Sequence, residues 1–384
     1  MAVYADLPEP NRAEHLWRYT PWHKIHPTGK VAEIPEATAG AVVSLTLLDG
    51  SEPPEGVSLS AATAEQIEKF RVAPEDDVAS EFIRQLGSSE AVVLTIKANL
   101  RLEQPLLLEV EVEGKVCILQ TILDIGRGCE AELVTKISGD ADWFGMLREG
   151  KIADGANFND VMLNQMGDGH CLRVDAMVIG RDAQVKAGTV GSGSTRCKSD
   201  LRFDMSNTGG NLSVNGSLLS AGKSHNDHHV EIMHEAPHTY SRLNWHSACG
   251  GKSRTVGTGM LRIANGAKGA DASQKFHNLL LSKDAEADSI PELEVLEHEV
   301  VGCGHGTATG PIDEEQHFYL TTRGFSDDGA RAVLISAFLN ATLSAMGSNT
   351  LHDWLNEQLS GGLSSLAISG GALTLSDPVI NDLD

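Results

Sequence analysis

The residues with the clearest chemical potential are a cysteine and a histidine in the glycine-rich run that begins at Cys303. Cys303 and His305 are two residues apart, so an extended strand would project both side chains from one face. A thiolate and an imidazole placed in this way can converge on one iron or one sulfur species. Gly302, Gly304 and Gly306 leave room for the backbone of another chain to approach. The pattern also fits a packed cysteine and a hydrogen-bonded histidine at a strand end, and the residues alone leave both interpretations open.

Five histidines form a second candidate cluster, at His225, His228, His229, His234 and His238. Their spacing lacks the fixed short intervals of zinc-binding motifs. If the strand is continuous, alternation divides the rings between two faces, so that His229 points away from His234. We therefore predict structural hydrogen bonding for this cluster and assign no metal to it.

Two Gly-Lys-Ser fragments invite comparison with the phosphate-binding loop G-x-x-x-x-G-K-[ST]. Five residues separate Gly216 from Gly222, which precedes Lys223, where the loop needs four. The fragment around Lys252 has His246 where the first glycine should stand. We predict turns at both places and no nucleotide site in this chain. No dinucleotide-binding glycine motif, catalytic triad or paired-carboxylate motif suggests an independent enzyme.

The composition limits the class of protein. The chain has 384 residues, 53 acidic and 30 basic side chains, and a formal net charge of −23. Such a surface repels phosphate backbones and anionic lipids, which argues against nucleic-acid and membrane-surface roles. There is no run of about eighteen apolar residues, no signal-peptide pattern at the N-terminus and no C-x-x-C pair among the six cysteines. We expect a soluble, reduced, cytoplasmic protein without a zinc site or a disulfide framework.

A repeat of short strands fills the centre of the chain. From about residue 90, runs of Val, Ile and Leu alternate with turns rich in Gly, Asp and Asn. Similar units follow one another at steps of 27, 27, 26 and 27 residues, beginning at Ile125, Ile152, Ile179, Met205 and Ile232. One unit cannot bury its own apolar side, so stacked units must form the core. The spacing predicts a parallel β-helix, with an ordinary β-sandwich of chance spacing as the alternative.

The repeat divides the chain into four predicted regions. Residues 1–88 form an N-terminal arm and helical region, residues 89–310 the parallel β-helix, residues 311–362 a C-terminal helical domain, and residues 363–384 a flexible tail. An exposed terminal coil would offer unpaired strand edges. We therefore expect the two helical regions to cover the ends of the solenoid.

Capping residues predict where the helices begin. In the N-terminal region, Ser60 and Pro74 mark two helix starts. In the C-terminal region, Asp313 caps one helix, and Ser326 begins a longer helix that runs to Met346. Three- and four-residue spacing predicts the apolar face of the longer helix as Ala330, Val333, Leu334, Ala337, Phe338, Ala341 and Ala345.

Four segments carry a resemblance that spans most of the chain and is weakest over residues 30–85. They read PEPNRAEHLWRYTPW (8–22), HNDHHVEIMHEAPHTYSR (225–242), ASQKFHNLLLSKDAEADSIPELEV (272–295) and CGHGTATGPIDEEQHFYLTTRGF (303–325). In type and order they resemble the SufB/SufD family, the scaffold proteins of the SUF iron–sulfur cluster assembly system. The resemblance implies a mainly β fold, a right-handed parallel β-helix core flanked by N-terminal and C-terminal helical regions.

Two differences favour the SufD-like member of that family. SufB-type chains carry a cysteine, implicated in cluster building, in a Ser-Gln-Cys-Asp-Ser segment, and here Lys275 stands at its place. SufB-type chains also read Glu-His-Glu-Ala before the helical region, whereas this chain has Cys303-Gly-His305-Gly, the SufD-like form. The lysine removes one soft ligand, which leaves Cys303 and His305 as the candidate ligands.

The resemblance implies a scaffold subunit and not an enzyme. It would pair with a SufB-like chain, hold a transient iron–sulfur cluster at their interface through Cys303 and His305, and bind SufC, an ABC-type ATPase that supplies ATP hydrolysis. The helix that begins at Ser326, with Trp354 and Leu355 beyond it, is the predicted SufC docking surface, unless it packs on the solenoid. Alternatives are a β-helix enzyme acting on carbohydrate or acyl substrates, a SufB-like homodimeric scaffold, and a structural homodimer without cluster contact.

Overall fold

A computed structural model of the chain describes residues 4–87, 91–191 and 193–365. The strands are β1 (Ala39–Gly40), β2 (Val42–Leu47), β3 (Val57–Ala61), β4 (Ala91–Ile96), β5 (Leu106–Gly114), β6 (Cys117–Ile125), β7 (Glu130–Ala141), β8 (Trp143–Ile152), β9 (Asn157–Asn164), β10 (His170–Ile179), β11 (Gln184–Val190), β12 (Arg196–Met205), β13 (Asn211–Ser220), β14 (His225–His234), β15 (Tyr240–Cys249), β16 (Arg254–Ile263), β17 (Asp271–Leu280), β18 (Glu286–Val295) and β19 (Gly302–Pro311). The helices are α1 (His15–Arg18), α2 (Trp22–Ile25), α3 (Ala64–Lys69), α4 (Val78–Leu86), α5 (Glu314–Thr322), α6 (Asp327–Leu343) and α7 (Asn349–Ser365), with a 3₁₀ turn at Tyr4–Asp6.

The chain passes alternately through two sheets. Sheet A contains the even-numbered strands from β4 to β18 in order, and sheet B contains the odd-numbered strands from β5 to β19. These sixteen strands pair in parallel, so the described residues make eight turns of a parallel β-helix. The prediction of a mainly β protein with a parallel β-helix core is confirmed. The division into four regions stays a prediction.

The core lies inside the coil because alternate side chains of each strand point inward. Ile125, Ile152 and Ile179 occupy the same register position in successive strands of sheet A and are buried. Phe158 and Val185 stack in the same way in sheet B. Each coil therefore buries its apolar side against its neighbours, as the repeat predicts.

One corner of the coil repeats a left-handed backbone position. Gly128, Gly155, Asp182, Gly209 and His238 all have φ between 55° and 75°. The backbone N–H of each donates to a carbonyl of the next coil. Glycine adopts this conformation without a steric penalty, and Asp and His tolerate it better than most other side chains. The Gly- and Asp-rich turns of the sequence repeat are these corners.

The fifth repeat unit does not lie where the sequence predicts. In the pairing of β12 with β14, Met205 lies beside His234, and Ile232 lies beside Phe203. The coil has become two residues longer than the predicted step, because seven residues separate Ser217 from His225, whereas five separate their register partners Val190 and Arg196. Two additional residues preserve the inward–outward alternation of the strands, so the apolar spacing in the sequence conceals the shift.

The ends of the solenoid are not covered by helices, contrary to the prediction. β2 and β3 pair antiparallel with β5 and β4 and cover the first coil. α4 lies on the outer face of sheet A, against β6, β8 and β10. α6 and α7 turn back along the outer face of sheet B, where Leu351 and Leu355 of α7 pack with Val134 and Val161. Within the described residues, β18 and β19 each keep one strand edge unpaired.

The first residues of the two N-terminal helices differ from those predicted from the sequence. Thr63 caps α3 in a capping box with Gln66, whereas Ser60 lies within β3. Asp77, and not Pro74, is the N-cap residue of α4. In both cases the better capping residue is the one whose side chain accepts a hydrogen bond from the first helical turn.

The C-terminal helices begin where predicted, but the buried face of α6 was assigned wrongly. Asp313 and Ser326 cap α5 and α6, and α6 ends at Leu343, one turn before Met346. Its buried residues are Ala330, Ala332, Ile335, Leu339, Thr342 and Leu343. Two faces of this alanine-rich helix have apolar spacing, and contact with β13 and β15 selects one of them.

No helix in the described part of the chain is long and apolar enough to cross a membrane. Most of the predicted tail, from residue 366 onward, lies outside the described residues.

Candidate functional site

Cys303 and His305 lie on β19, the last strand of sheet B. Cys303 pairs in register with Ala272, and His305 pairs with Gln274. Both partners are buried inside the coil. Register neighbours in a parallel sheet share a face, so the thiol and the imidazole project to the inward side of the last coil. The spacing predicted this common side.

The two side chains differ in their surroundings. Cys303 packs partly against the solenoid core, and burial raises the pKa of its thiol, which favours the protonated form. The His305 ring is exposed, and none of the described residues hydrogen bonds to it. The His305 imidazole is therefore accessible to a metal ion at the open end of the coil. Ligation by Cys303 requires the loss of a proton.

The last coil exposes both strand edges and apolar side chains. β18 and β19 are each ten residues long, and each has one edge unpaired within the described chain. Val295 and Leu296 are exposed, and Val301 is 74% exposed. A Cβ atom added at Gly304 or Gly306 would meet nothing within 4 Å. We call these two strand edges and the three apolar residues the open edge, because such a surface can template another strand.

Lys275, the residue at the SufB-type cysteine position, lies on β17 beside Gly306. Its side chain is exposed, whereas its neighbours Gln274 and Phe276 are buried in the coil. Lys275 therefore projects from the outer face of sheet B, away from the inward side that carries Cys303. The fold does not bring this position together with the Cys303–His305 pair.

The histidine-rich segment forms β14, and its rings serve separate contacts. The two ring nitrogens of buried His234 contact hydroxyl groups at 2.7 and 2.8 Å. His229 contacts Thr258 Oγ1 at 2.7 Å, and His225 contacts Thr20 Oγ1 at 2.8 Å. Among the residues that the structure describes, no three His, Cys, Asp or Glu side chains are grouped to hold a metal ion. These rings stabilise the coil and the N-terminal arm.

Both Gly-Lys-Ser fragments form corner turns, as predicted. Residues 221–224 connect β13 to β14, and residues 250–253 connect β15 to β16. Gly222 and Gly251 have φ of 62° and 67°, in the left-handed region. Each fragment connects two strands, whereas a phosphate-binding loop leads from a strand into a helix.

The N-terminal motif segment lies across the outer face of sheet A. Trp17 and Trp22 are buried there, and the Trp143 side chain of β8 donates a hydrogen bond from Nε1 to the Ile25 carbonyl at 2.6 Å. Residues from both ends of the sequence resemblance are thus parts of one folded unit. The motif packs against the solenoid and is distant in the chain from Cys303.

The coil encloses a buried group of ion pairs around Arg148 that was not predicted from the sequence. Arg148 is fully buried and donates to Asp160 at 2.8 Å and to Asp175 at 2.9 Å. Asp175 also accepts a hydrogen bond from Arg173 at 2.6 Å. Burial alone raises the pKa of Asp175, but Arg173 and Arg148 outweigh that effect and lower it. The signal was present in β8, where Arg148 follows inward-facing Met146 by two residues.

Comparison with known proteins shows that this sequence is similar to proteins of iron–sulfur cluster assembly. Residues 109–338 match the family described as SUF system FeS cluster assembly, SufBD core domain. A SufBD family protein of Mycobacterium leprae is 28% identical over 284 residues, which cover 71% of each chain. A SufBD family protein of Mycobacterium tuberculosis is 26% identical over 87% of this chain and 84% of its own length. The iron–sulfur cluster assembly protein SufD of Escherichia coli is 25% identical over 86% of this chain and 83% of its own length.

Proposed function

Because this chain belongs to the SufBD family of iron–sulfur cluster assembly proteins, we propose that it is a SufD-like, non-catalytic scaffold subunit. It pairs with a SufB-like chain and binds a SufC-like ABC ATPase, which supplies ATP hydrolysis in the cytoplasm. The observation that carries the proposal is the open edge, where β18 and β19 each keep one edge unpaired within the described residues and β19 carries Cys303 and His305. An unpaired edge of this length favours pairing with another chain.

Pairing through the open edge explains why two different kinds of group occur together there. Backbone N–H and C=O groups of β18 and β19 give a partner strand its register, and Val295, Leu296 and Val301 give it apolar contact. A SufB-like chain has a related solenoid and can present a matching edge. A second copy of this chain could use the same surface, so the composition of the complex is an outcome to be measured.

The iron–sulfur cluster is cargo at this interface. His305 supplies an exposed imidazole, and Cys303 supplies a thiol that becomes a ligand when it loses its proton. The SufB-like partner provides the remaining thiolates. Ligation that includes the His305 imidazole and a Cys303 thiol of raised pKa holds iron less firmly than ligation by four thiolates. Weaker ligation suits transfer of the cluster to an acceptor protein.

The ATPase docks on the C-terminal helices. Phe318 and Tyr319 of α5 are 68% and 57% exposed, and Val333 of α6 is exposed beside them. Tyr319 and Val333, together with Leu320 and Leu334, line a groove of about 390 Å³. This surface is narrower than the one predicted from sequence, because Leu355 and the inner face of α6 pack on the solenoid.

Affinity purification of the full chain from its native cells tests the proposal. We expect a SufB-like chain and an ABC ATPase to be recovered in stable association, and we expect the isolated chain to hydrolyse no ATP. Recovery of the chain only as a homodimer would contradict the SufD-like assignment. Robust ATP turnover by the purified chain would contradict the scaffold role.

Replacing Tyr319 with Ser should weaken binding of the ATPase by about tenfold or more, since an exposed aromatic in a docking groove commonly supplies more than about 1.4 kcal/mol at an interface. The free energy of unfolding should change by less than about 0.5 kcal/mol. The matched control is Leu339→Ala on the buried face of α6, which should cost about 2–5 kcal/mol of stability. Isothermal titration and urea unfolding measure the two effects. Equal losses of stability in both variants would rule out the division of faces.

Replacing His305 with Ala should leave the three-protein complex intact and reduce its capacity to assemble a cluster. The ring is exposed and has no protein partner in the described chain, so its loss should not affect folding. Cys303→Ser should act in the same direction but more weakly, because the partner supplies most thiolates. Iron and sulfide content after anaerobic reconstitution, compared with complex yield on size exclusion, gives the measurement. If the double variant retains full cluster content, the two residues have only a structural role.

A further inference from the structure

Two cysteines that the proposed function does not use are neighbours inside the solenoid. Cys171 and Cys197 are register partners on the parallel strands β10 and β12, and both are buried free thiols in the inward core. Register partners in a sheet lie about 4.8 Å apart between Cα atoms. Disulfides span Cα separations of about 4.4–6.8 Å. The Cα separation therefore lies within the disulfide range, and a small local shift must bring the two parallel Cβ atoms to the roughly 3.5–4.5 Å that the bond needs.

The two thiols are chemically unequal. The interaction between the two thiols raises the pKa of Cys171 and lowers that of Cys197. The Ser199 hydroxyl, 3.6 Å from the Cys197 sulfur, and the positive charge of Arg173 favour the Cys197 thiolate further, although burial opposes it. A thiol with thiolate character beside a second, resolving thiol is the arrangement that reacts with peroxides and then closes to a disulfide.

A small cavity gives these thiols space and an approach route. Both cysteines line an internal cavity of about 10 Å³, close to the volume that one water-sized molecule needs. Asn164 and Gly191 line this cavity and also line a larger, open cavity of about 710 Å³ between the corner turns and α7. Hydrogen peroxide is little larger than water, and the oxidation requires it to pass between these two shared residues to reach the sulfur atoms.

We propose that Cys171 and Cys197 are a site of reversible oxidation, at which hydrogen peroxide converts two thiols into an intramolecular disulfide between adjacent coils. The Cys197 sulfur attacks one peroxide oxygen, the O–O bond breaks, and a sulfenic acid and one water form. The Cys171 sulfur then attacks the sulfenic sulfur, and a second water leaves with the remaining thiol proton. Two thiols and one peroxide thus yield one disulfide and two waters. A small thiol reductant reverses the reaction by thiol–disulfide exchange.

Other buried cysteines of the chain provide an internal comparison. Burial raises the pKa of Cys129 to about 11 and also raises the pKa of Cys249. Cys249 has Ser220 and Leu280 as register partners, so it has no thiol beside it in the sheet. These residues are equally enclosed by the solenoid but lack both the thiolate character and the resolving thiol. They should stay reduced under conditions that oxidise Cys171 and Cys197.

The full chain, reduced and freed of reductant, is treated with a small excess of hydrogen peroxide at pH 7. It is then unfolded in excess alkylating reagent and mapped by mass spectrometry. We expect two of the six cysteines to escape alkylation and one linked product to contain Cys171 and Cys197, which dithiothreitol abolishes. Cys249→Ser, the matched control, should form the same link in undiminished yield. Cys171→Ser should lose the link and leave a Cys197 sulfenic acid that a dimedone-type probe labels.

The wild-type chain alone is sufficient to overturn the proposal, so a variant that fails to fold does not obscure the answer. If the folded wild type forms no link between Cys171 and Cys197 while peroxide is consumed at other cysteines, the site does not exist. Equal oxidation of all six cysteines would also refute it. The proposal is independent of the proposed scaffold function, because the experiment requires neither a partner protein nor iron.

Discussion

Lowering the pH from 7 to 5 should reduce the free energy of unfolding of this protein by about 4–6 kcal/mol, because its buried histidines are neutral in the folded state. Burial is the main cause that lowers the pKa of His228 and His229 to about 3 and that of His234 to about 4. In the unfolded chain, histidine titrates near pH 6.5. Between these values the unfolded state binds more protons, so stability is complete above about pH 6.5 and falls as the pH decreases.

The size of this effect follows from the number of histidines. Each of the three contributes a loss of about 1.4 kcal/mol per pH unit below 6.5. Four more histidines are shifted in the same direction, at His26, His170, His225 and His246. Glu81 and Glu231 act in the opposite sense, because burial raises the pKa of each carboxyl and the folded state then binds their protons more readily. The net loss is therefore somewhat smaller than the histidines alone would give.

Urea unfolding followed by tryptophan fluorescence at pH 7, 6 and 5 measures this loss. His229→Gln should reduce the pH dependence by about 1.4 kcal/mol per pH unit, since one proton fewer distinguishes the folded and unfolded states. The control is His23→Gln, which makes the same exchange at a partly exposed ring outside the solenoid and reports the effect of the substitution itself. A stability that stays constant between pH 7 and pH 5 would contradict the assignment of neutral buried rings.

Replacing Arg148 with Met should destabilise the solenoid by about 3–5 kcal/mol, because the substitution leaves buried carboxylates without their cation. Arg148 is enclosed by the coil and holds both Asp160 and Asp175. Asp175 keeps Arg173 as a partner, whereas Arg148 supplies the only ion pair of Asp160 among the described residues. Methionine conserves much of the side-chain volume, so the loss reports charge and hydrogen bonding more than a cavity.

Two further variants separate the charge effect from general damage to the fold. Arg101→Met removes an ion pair with Glu130 in which the arginine side chain is 74% exposed, and it should cost no more than about 1 kcal/mol. The double variant Arg148→Met/Asp160→Asn should recover part of the stability, because it neutralises the carboxylate that has lost its partner. Chemical denaturation at pH 7 provides all three values. A loss for Arg148→Met as small as that for Arg101→Met would show that the interior hydrates these carboxylates.

Local sequence patterns were sufficient to predict the architecture of the solenoid. The step of 27 residues between Ile125 and Ile152 is one coil of the parallel β-helix, because each strand returns to the same register position after one turn. Asp313 and Ser326 were recognised as helix caps because a cap depends on hydrogen bonds within a few residues. The common inward side of Cys303 and His305 followed from the two-residue period of a strand.

The sequence did not reveal the surroundings of these elements. The longer segment between Ser217 and His225 moved the register of β14 without changing the apolar alternation, so no local signal marked it. The apolar face of α6 could not be selected from two candidates by spacing alone. The buried ion pairs of Arg148 required strands β8, β9 and β10 to meet inside one coil.

Tertiary structure also decided where the chain is open to a partner. The C-terminal helices were predicted to cover the last coil. Instead, Leu351 and Leu355 pack on the apolar surface of sheet B around Val134 and Val161. These contacts join residues at least 190 positions apart, and their strength depends on apolar area that exists only after the solenoid has formed. The sequence alone determined which residues alternate inward and which residues cap the C-terminal helices. Only the folded solenoid decided which surfaces the helices bury, and therefore that the strand edge beside Cys303 and His305 remains unpaired by any described residue.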